Sequence, residues 1–203
     1  MVARYGRILP VSITAILLVG CASFTQFTSL RDDSVPAGET RPSVVTWKLH
    51  VIDYTKEALN TVPVFEMSLG GDEISSKKCE WTETDAAATY ECLYVVRTEQ
   101  PIFNPWEIRI PMVHGNIWWK DVRFLEIPPG RSWTIDPESL QFIGDFVVEI
   151  HGIEPGTAAG SWSITYAFAI ENGQKNLDAA RARFEREFPI TYESYGRTMN
   201  LAQ

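Results

Sequence analysis

The chain has 203 residues, of which 45% are hydrophobic and 12% aromatic, and its formal charge at pH 7 is −8. That length suits a single domain able to bury a substantial core. The acidic balance, with no block of Lys or Arg anywhere, argues against nucleic acid or anionic lipid as a charge-selected partner.

Arg4 and Arg7 precede a hydrophobic run from Ile8 to Leu18. A basic start followed by a short apolar segment is the pattern of a secretory signal. The run is shorter than the roughly 20 apolar residues that a membrane span needs. It closes on Leu18-Val19-Gly20-Cys21, a sequence that resembles the lipobox of bacterial lipoproteins. The resemblance implies cleavage before Cys21, acyl chains on its sulfur and new amino group, and attachment to a membrane. Two or more such chains anchor stably, where one is marginal. The alternatives are a plain signal peptide with an incidental Cys21 and an uncleaved hydrophobic N-terminus. With cleavage before Cys21, residues 1–20 are the signal peptide, and its loss with Arg4 and Arg7 takes the charge from −8 to −10. In lipoproteins of this type, Ala22 in place of Asp after the cysteine implies the outer membrane, with the body facing the periplasm.

Ala22 to Pro42 is rich in Ser, Thr, Gly, Asp and Pro, without a sustained period. Residues 21–42 are therefore expected to be the lipidated cysteine and a flexible tether, whose reach over about 20 residues is roughly 25 Å. From Ser43 the pattern becomes β. Val45, Trp47, Leu49 and Val51 alternate with Thr46, Lys48 and His50, as in a half-buried strand. Thr61 to Leu69 is a second strand candidate, followed by a turn at Gly70-Gly71-Asp72.

Once Cys21 is lipidated, Cys79 and Cys92 are the two cysteines left, and an oxidising periplasm favours their pairing. Two reduced thiols are the alternative. If Cys79 faces Cys92 in an antiparallel hairpin, Trp81 falls opposite Tyr90 on the same face and the turn falls at 84–87. A Trp–Tyr cross-strand pair adds roughly 0.2–1 kcal/mol to such a hairpin. On the other face Glu80 meets Glu91, a mild repulsion that is expected to place that face in solvent.

Beyond Pro101 and Pro105, strands are expected around Trp106 to Met112, Asn116 to Lys120, Val122 to Ile127, Arg131 to Ile135 and Phe142 to Ile150. Trp162, Ile164, Tyr166, Phe168 and Ile170 give the cleanest alternation in the chain. One helix is predicted over about 176–188: Asn176 is the expected N-cap, Leu177, Ala180, Phe184 and Phe188 share a stripe, and Pro189 stops it. Ile190 to Tyr192 reads as a short last strand, which closes a single domain over 43–193, and 194–203 reads as a loose tail.

Many short strands with frequent turns and one late helix fit a mainly β fold, an antiparallel β-sandwich. The turn Ile127-Pro128-Pro129-Gly130 resembles the Pro-Gly turn of transthyretin-like (prealbumin-like) sandwiches. The order of that turn, Phe142-Ile143-Gly144-Asp145-Phe146, an alternating strand and a helix ending in Phe188-Pro189 resembles small bacterial lipoproteins over about 120–190. The resemblance implies fold and address and brings no catalytic residues.

His50, His114 and His151 lack ligand spacing, so no metal site is expected. There is no nucleophile elbow and no phosphate loop, and the chain is read as having no cofactor and as not being an enzyme. Asp136 with Glu138, or Asp145 with Glu149, are the carboxylate pairs that a glycan hydrolase would need; Asp145 is preferred as a satisfied polar group beside Gly144. Seven tryptophans are the notable surplus. Trp118 and Trp119, with Trp106 or Trp133 beside them, are the candidate binding residues, since aromatics stack on sugars and anchor partners. The function expected is a lipid-anchored, non-catalytic binding or assembly module with an envelope protein partner. The alternatives are a carrier or sensor of a small apolar or glycan ligand and, second, a cell-wall glycan hydrolase.

Overall fold

The computed structural model describes residues 27–34, 41–56, 66–69, 72–75, 79–112, 121–126, 131–155 and 162–203. Cys21, Trp118, Trp119, His114, the strand expected at 116–120 and the turn at 127–130 lie outside the described residues. The strands are β1 (Phe27–Ser29), β2 (Ser43–Asp53), β3 (Glu66–Leu69), β4 (Asp72–Ser75), β5 (Glu80–Glu83), β6 (Ala88–Thr98), β7 (Ile102–Phe103), β8 (Pro105–Met112), β9 (Asp121–Glu126), β10 (Trp133–Thr134), β11 (Leu140–Pro155) and β12 (Trp162–Glu171). Helices α1 (Gln174–Glu187) and α2 (Pro189–Ser194) follow, and β13 (Asn200–Leu201) ends the chain.

The strands form a large sheet in the order β1-β6-β2-β11-β12, with β5 also on β6 and β13 also on β11. A four-stranded sheet, β4-β3-β8-β9, and the small pair β10-β7 accompany it. The expectation of an all-antiparallel fold is corrected at the centre, where β2 and β11 run parallel from Leu140↔Val44 to Ile150↔Asp53. Parallel neighbours tend to be covered on both faces, and β2 obeys. Val45, Trp47, Leu49 and Val51 enter an aromatic core with Tyr94, Phe103, Trp133 and Phe146. On the other face Val44 joins Leu93, Phe142, Leu177, Ala180, Phe184 and Phe188 under the helices. The strand read as half-buried is therefore buried on both sides. Trp47 stacks on its cross-strand neighbour Tyr94 at 5.0 Å and 6°, a pairing that adds to their area burial.

The hairpin has the expected register: Trp81 pairs with Tyr90 and Glu80 with Glu91, Thr84 N–H donates to Ala87 O at 3.0 Å, and Cys79 is joined to Cys92.

Three expectations about the ends of the chain are corrected. Residues 21–42 are not a tether throughout, because β1 pairs with β6 and Phe27 and Leu30 are buried. Ile190 to Tyr192 belong to a helix, since Pro189 at its first turn pre-sets the backbone for one. Asp33 caps that helix from a distance, its carboxylate accepting the N–H groups of Ile190 and Thr191 at 2.7 Å each. The final residues are not loose: β13 pairs in parallel with β11, and Met199 and Ala202 are buried. The N-cap of α1 is Gly173 rather than Asn176, and the Asn176 side chain donates instead to Asp145.

Candidate functional site

The feature that local pattern explains least is a chain of charged groups between α1 and the large sheet. It begins with a β-bulge. Along β11, Phe142 lies on the helix side while Ile143 and Phe146 lie in the aromatic core. Strict alternation would give Phe142 and Phe146 the same face. The register shift between Phe142 and Asp145 inserts one residue of β11 against β2, and the extra residue reverses the alternation. Gly144 supplies the backbone for this at φ +148°, where a Cβ would sit 2.9 Å from the Glu171 carbonyl oxygen. Without the bulge Asp145 would share the Ile143 face and enter the aromatic core. With it, Asp145 lies beneath the start of α1.

There Asp145 Oδ2 is 3.1 Å from Lys48 Nζ and accepts from Asn176 Nδ2 at 2.8 Å. The positive end of α1 favours the carboxylate as well. Asp145 Oδ1 is buried with no hydrogen-bond partner among the described residues. Lys48 and Asp145 side chains are each only 7% exposed. His50, two residues along β2 from Lys48, lies between two carboxylates, with Nε2 3.8 Å from Asp145 and Nδ1 3.5 Å from Glu91. Burial holds the imidazole below its ordinary value and outweighs the upward pull of Glu91 and Asp145, with Lys48 and Arg183 adding to the downward side. Glu91 accepts from Arg183 Nη1 at 2.5 Å, and Arg183 Nε donates to Glu187 at 2.8 Å. Burial opposes the Arg183 charge, yet Glu187, Glu91 and Glu80 together hold its pKa above the usual value.

The Glu80–Glu91 face was expected to lie in solvent. It is instead partly roofed by α1, whose buried Arg183 neutralises Glu91. The sequence reading missed Lys48, His50, Glu91 and Arg183 as a group. One signal is present: two basic residues, two apart, in the middle of a strand whose other face is wholly apolar from Val45 to Val51. Chemically the row alternates basic and acidic groups and ties α1 to three strands. Among the described residues, no group of three or more His, Cys, Asp or Glu is placed to hold a metal ion.

The carboxylates considered for a hydrolase are engaged separately. Asp145 is bound to Lys48, Glu149 is 3.5 Å from His151, and Asp136 accepts from Gln141 Nε2 at 3.3 Å. Of the candidate binding tryptophans, Trp133 is a core residue, 6% exposed and 5.9 Å from both Phe103 and Phe146. Trp106 takes a place in β8, and Trp118 and Trp119 are not described. Trp81, the hairpin's cross-strand partner of Tyr90, is 57% exposed.

At the end of the sheet where β1 enters, a cavity of about 330 Å³ lies among Arg41, Ser43, Thr98, Gln100, Ile135 and Glu138. Arg41 covers the Tyr195 ring at 5.1 Å, and the Tyr195 hydroxyl donates to the Pro42 carbonyl. No protein-family model, curated protein or solved structure matches this chain.

Proposed function

We propose that the protein is a lipid-anchored lipoprotein of the periplasmic face of the outer membrane, and that its folded body is a non-catalytic binding or assembly module held close to the bilayer. The observation that carries this is the position of β1. If Cys21 bears the acyl chains, only residues 22–26 separate it from Phe27, the first residue of a strand hydrogen-bonded into the large sheet. Six residue steps span at most about 20 Å. Residues 30–33 are in turn fixed to β6 and α2. The body therefore stands against the headgroup layer, close to partners on the same membrane. The ionic row fits a module of this kind, since each basic group is matched by a carboxylate and together they fasten α1. We also propose that the four-stranded sheet is a second layer of a transthyretin-like sandwich, with Ile74 of β4 inside the aromatic core as support.

Membrane fractionation of the parent and Cys21→Ser, with labelled palmitate, tests the anchor. The parent is expected in the membrane fraction with label, and the serine variant in the soluble fraction without it. Equal partition of the two would remove the proposal.

A second reading, a carrier or sensor of a small apolar or glycan ligand, is favoured by the cavity near Arg41. It predicts a melting shift on adding cell-wall glycan fragments that Ser43→Trp, filling the cavity mouth, abolishes.

A further inference from the structure

We propose that the free edge of β12 is a self-association surface, pairing antiparallel with β12 of a second copy of this chain to join two large sheets into one. This goes beyond the lipid-anchor reading and does not depend on it. β12 is last in the strand order, with its ladder to β11 on one side. Its other edge carries no strand among the described residues. Edges of this kind are templates for pairing, and proteins usually guard them with charge, proline, bulges or short strands.

The opposite edge of the same sheet is guarded in this way. There the outer strands are β1 and β5, of 3 and 4 residues, and β5 carries Glu80 and Glu83, both exposed. Up to Ile170, β12 lacks the charge, the proline and the short length, and the one register shift in its ladder, opposite Tyr166 and Thr165, places its extra residue in β11 between Ile150 and Gly152. β12 is 10 residues long, and from Trp162 through Ile170 it contains no charge, proline or glycine. Tyr166 is 36% exposed, and Ser163, Thr165, Ala167 and Ala169 are exposed as well.

Charge selects the occupant. A body of net charge −8 repels its own copies over most of its surface, and a long neutral strand is where two copies can meet without that cost. The sequence is also self-complementary. An antiparallel two-fold centred on Tyr166 places Tyr166 against its own counterpart, Ile164 against Phe168, Thr165 against Ala167 and Ser163 against Ala169. Large residues then meet large ones on one face and small meet small on the other, which are favoured cross-strand pairings. The contact is closed and isologous, so it ends at two copies. Ile164, Phe168 and Ile170 already pack against the aromatic core, so pairing would run that apolar face through both bodies.

Light scattering on the purified full chain in detergent, at roughly 10 µM, tests the proposal. The parent is expected at twice the mass of its single chain, as mass spectrometry of the same sample gives it. Combining Thr165→Lys with Ala167→Lys places amine against amine across the two-fold and is expected to give single chains with an unchanged circular-dichroism spectrum. Combining Thr165→Lys with Ala167→Glu places amine against carboxylate and is expected to restore the pair. A parent that runs as a single chain, including one that instead crosslinks to a different envelope protein, overturns the proposal. So does pairing that survives both double substitutions, or is lost equally in both.

Discussion

Arg183 of α1 reaches Glu91 of β6 at 2.5 Å across 92 residues of sequence, and Glu91 is the residue that the hairpin register sets opposite Glu80. A like-charge cross-strand pair is thus offset by a cation brought in by the helix. Arg183 is 6% exposed and Glu91 is 32% exposed, so the pair is too sheltered to count as an ordinary surface ion pair, yet wet enough to lie below the fully buried range. Arg183→Met keeps the stem and removes the charge. It is expected to cost about 2 kcal/mol in urea unfolding, because Glu91, Glu80 and Glu187 are left facing one another. Glu91→Gln is expected to cost less than about 1 kcal/mol, since it also relieves the repulsion with Glu80. Equal losses in the two variants would mean that the contact matters for its packing and not for its charge.

Gly144→Ala tests the bulge. The new Cβ would lie 2.9 Å from a backbone oxygen, which cannot rotate away as a side-chain tip could, and φ +148° is a conformation that side-chain-bearing residues avoid. The expected loss is more than about 2 kcal/mol, with the Asp145–Lys48 pair displaced. A melting temperature within a degree of the parent would show that the bulge relaxes without cost and does not aim Asp145.

How much of this was legible beforehand depended on range. The β2 alternation, the α1 stripe and the Cys79–Cys92 hairpin register rest on neighbours or on residues 13 apart, and the sequence displays them directly. The ionic row was not legible, because Lys48, Glu91, Asp145 and Arg183 come from four elements. A charged residue on the polar face of a strand reads as solvated until another element covers it. Trp133 failed for the opposite reason: periodicity says which residues share a face but not which face is inside. β12 has the cleanest alternation in the chain and is an exposed edge. β1, at three residues, is too short to give any period, so the tether expected over 21–42 ran past the start of that strand.

His50 makes stability depend on pH. Its ordinary value is 6.5 and burial lowers it in the folded state, so over the window just below 6.5 the unfolded chain binds a proton that the folded chain refuses. Stability then rises with pH in that window and falls as the solution is acidified, levelling once pH drops below the lowered folded value. The slope for one proton is at most about 1.4 kcal/mol per pH unit. His50→Asn is expected to flatten the stability profile between roughly pH 7.5 and 5. Parallel profiles for parent and variant would show that the imidazole protonates equally in both states.

Asp33 is expected to be worth more than a surface aspartate, because it joins the N-terminal segment to α2 through two N–H groups. Asp33→Ala leaves both without their acceptor and is expected to cost about 1 kcal/mol, the usual loss on removing a helix cap. Amide exchange should quicken at Ile190 and Thr191 and also along Phe27–Leu30, since the two segments hold each other. Exchange that quickens in α2 alone would show β1 to be fixed by β6 without help.

The Cys79–Cys92 bridge bears on a strand with little else to hold it. All four residues of β5 are exposed and, among the described residues, its ladder runs to β6 alone, whereas Cys92 is fully buried in the aromatic core. The bridge therefore moors an exposed edge to a buried strand, and it closes a loop with a sequence separation of 13. Loop-closure entropy at that size is worth about 3 kcal/mol. Cys79→Ala with Cys92→Ala is expected to lose roughly that much, with β5 fraying first: exchange at Glu80–Glu83 should rise toward the unfolded rate while Trp47 in the core keeps its near-ultraviolet signal. Because β5 helps to guard its edge of the sheet, the same variant should aggregate sooner on warming. A reduced protein that melts with the oxidised one, and protects β5 equally, would show that the strand is held by its ladder and the Trp81–Tyr90 contact alone.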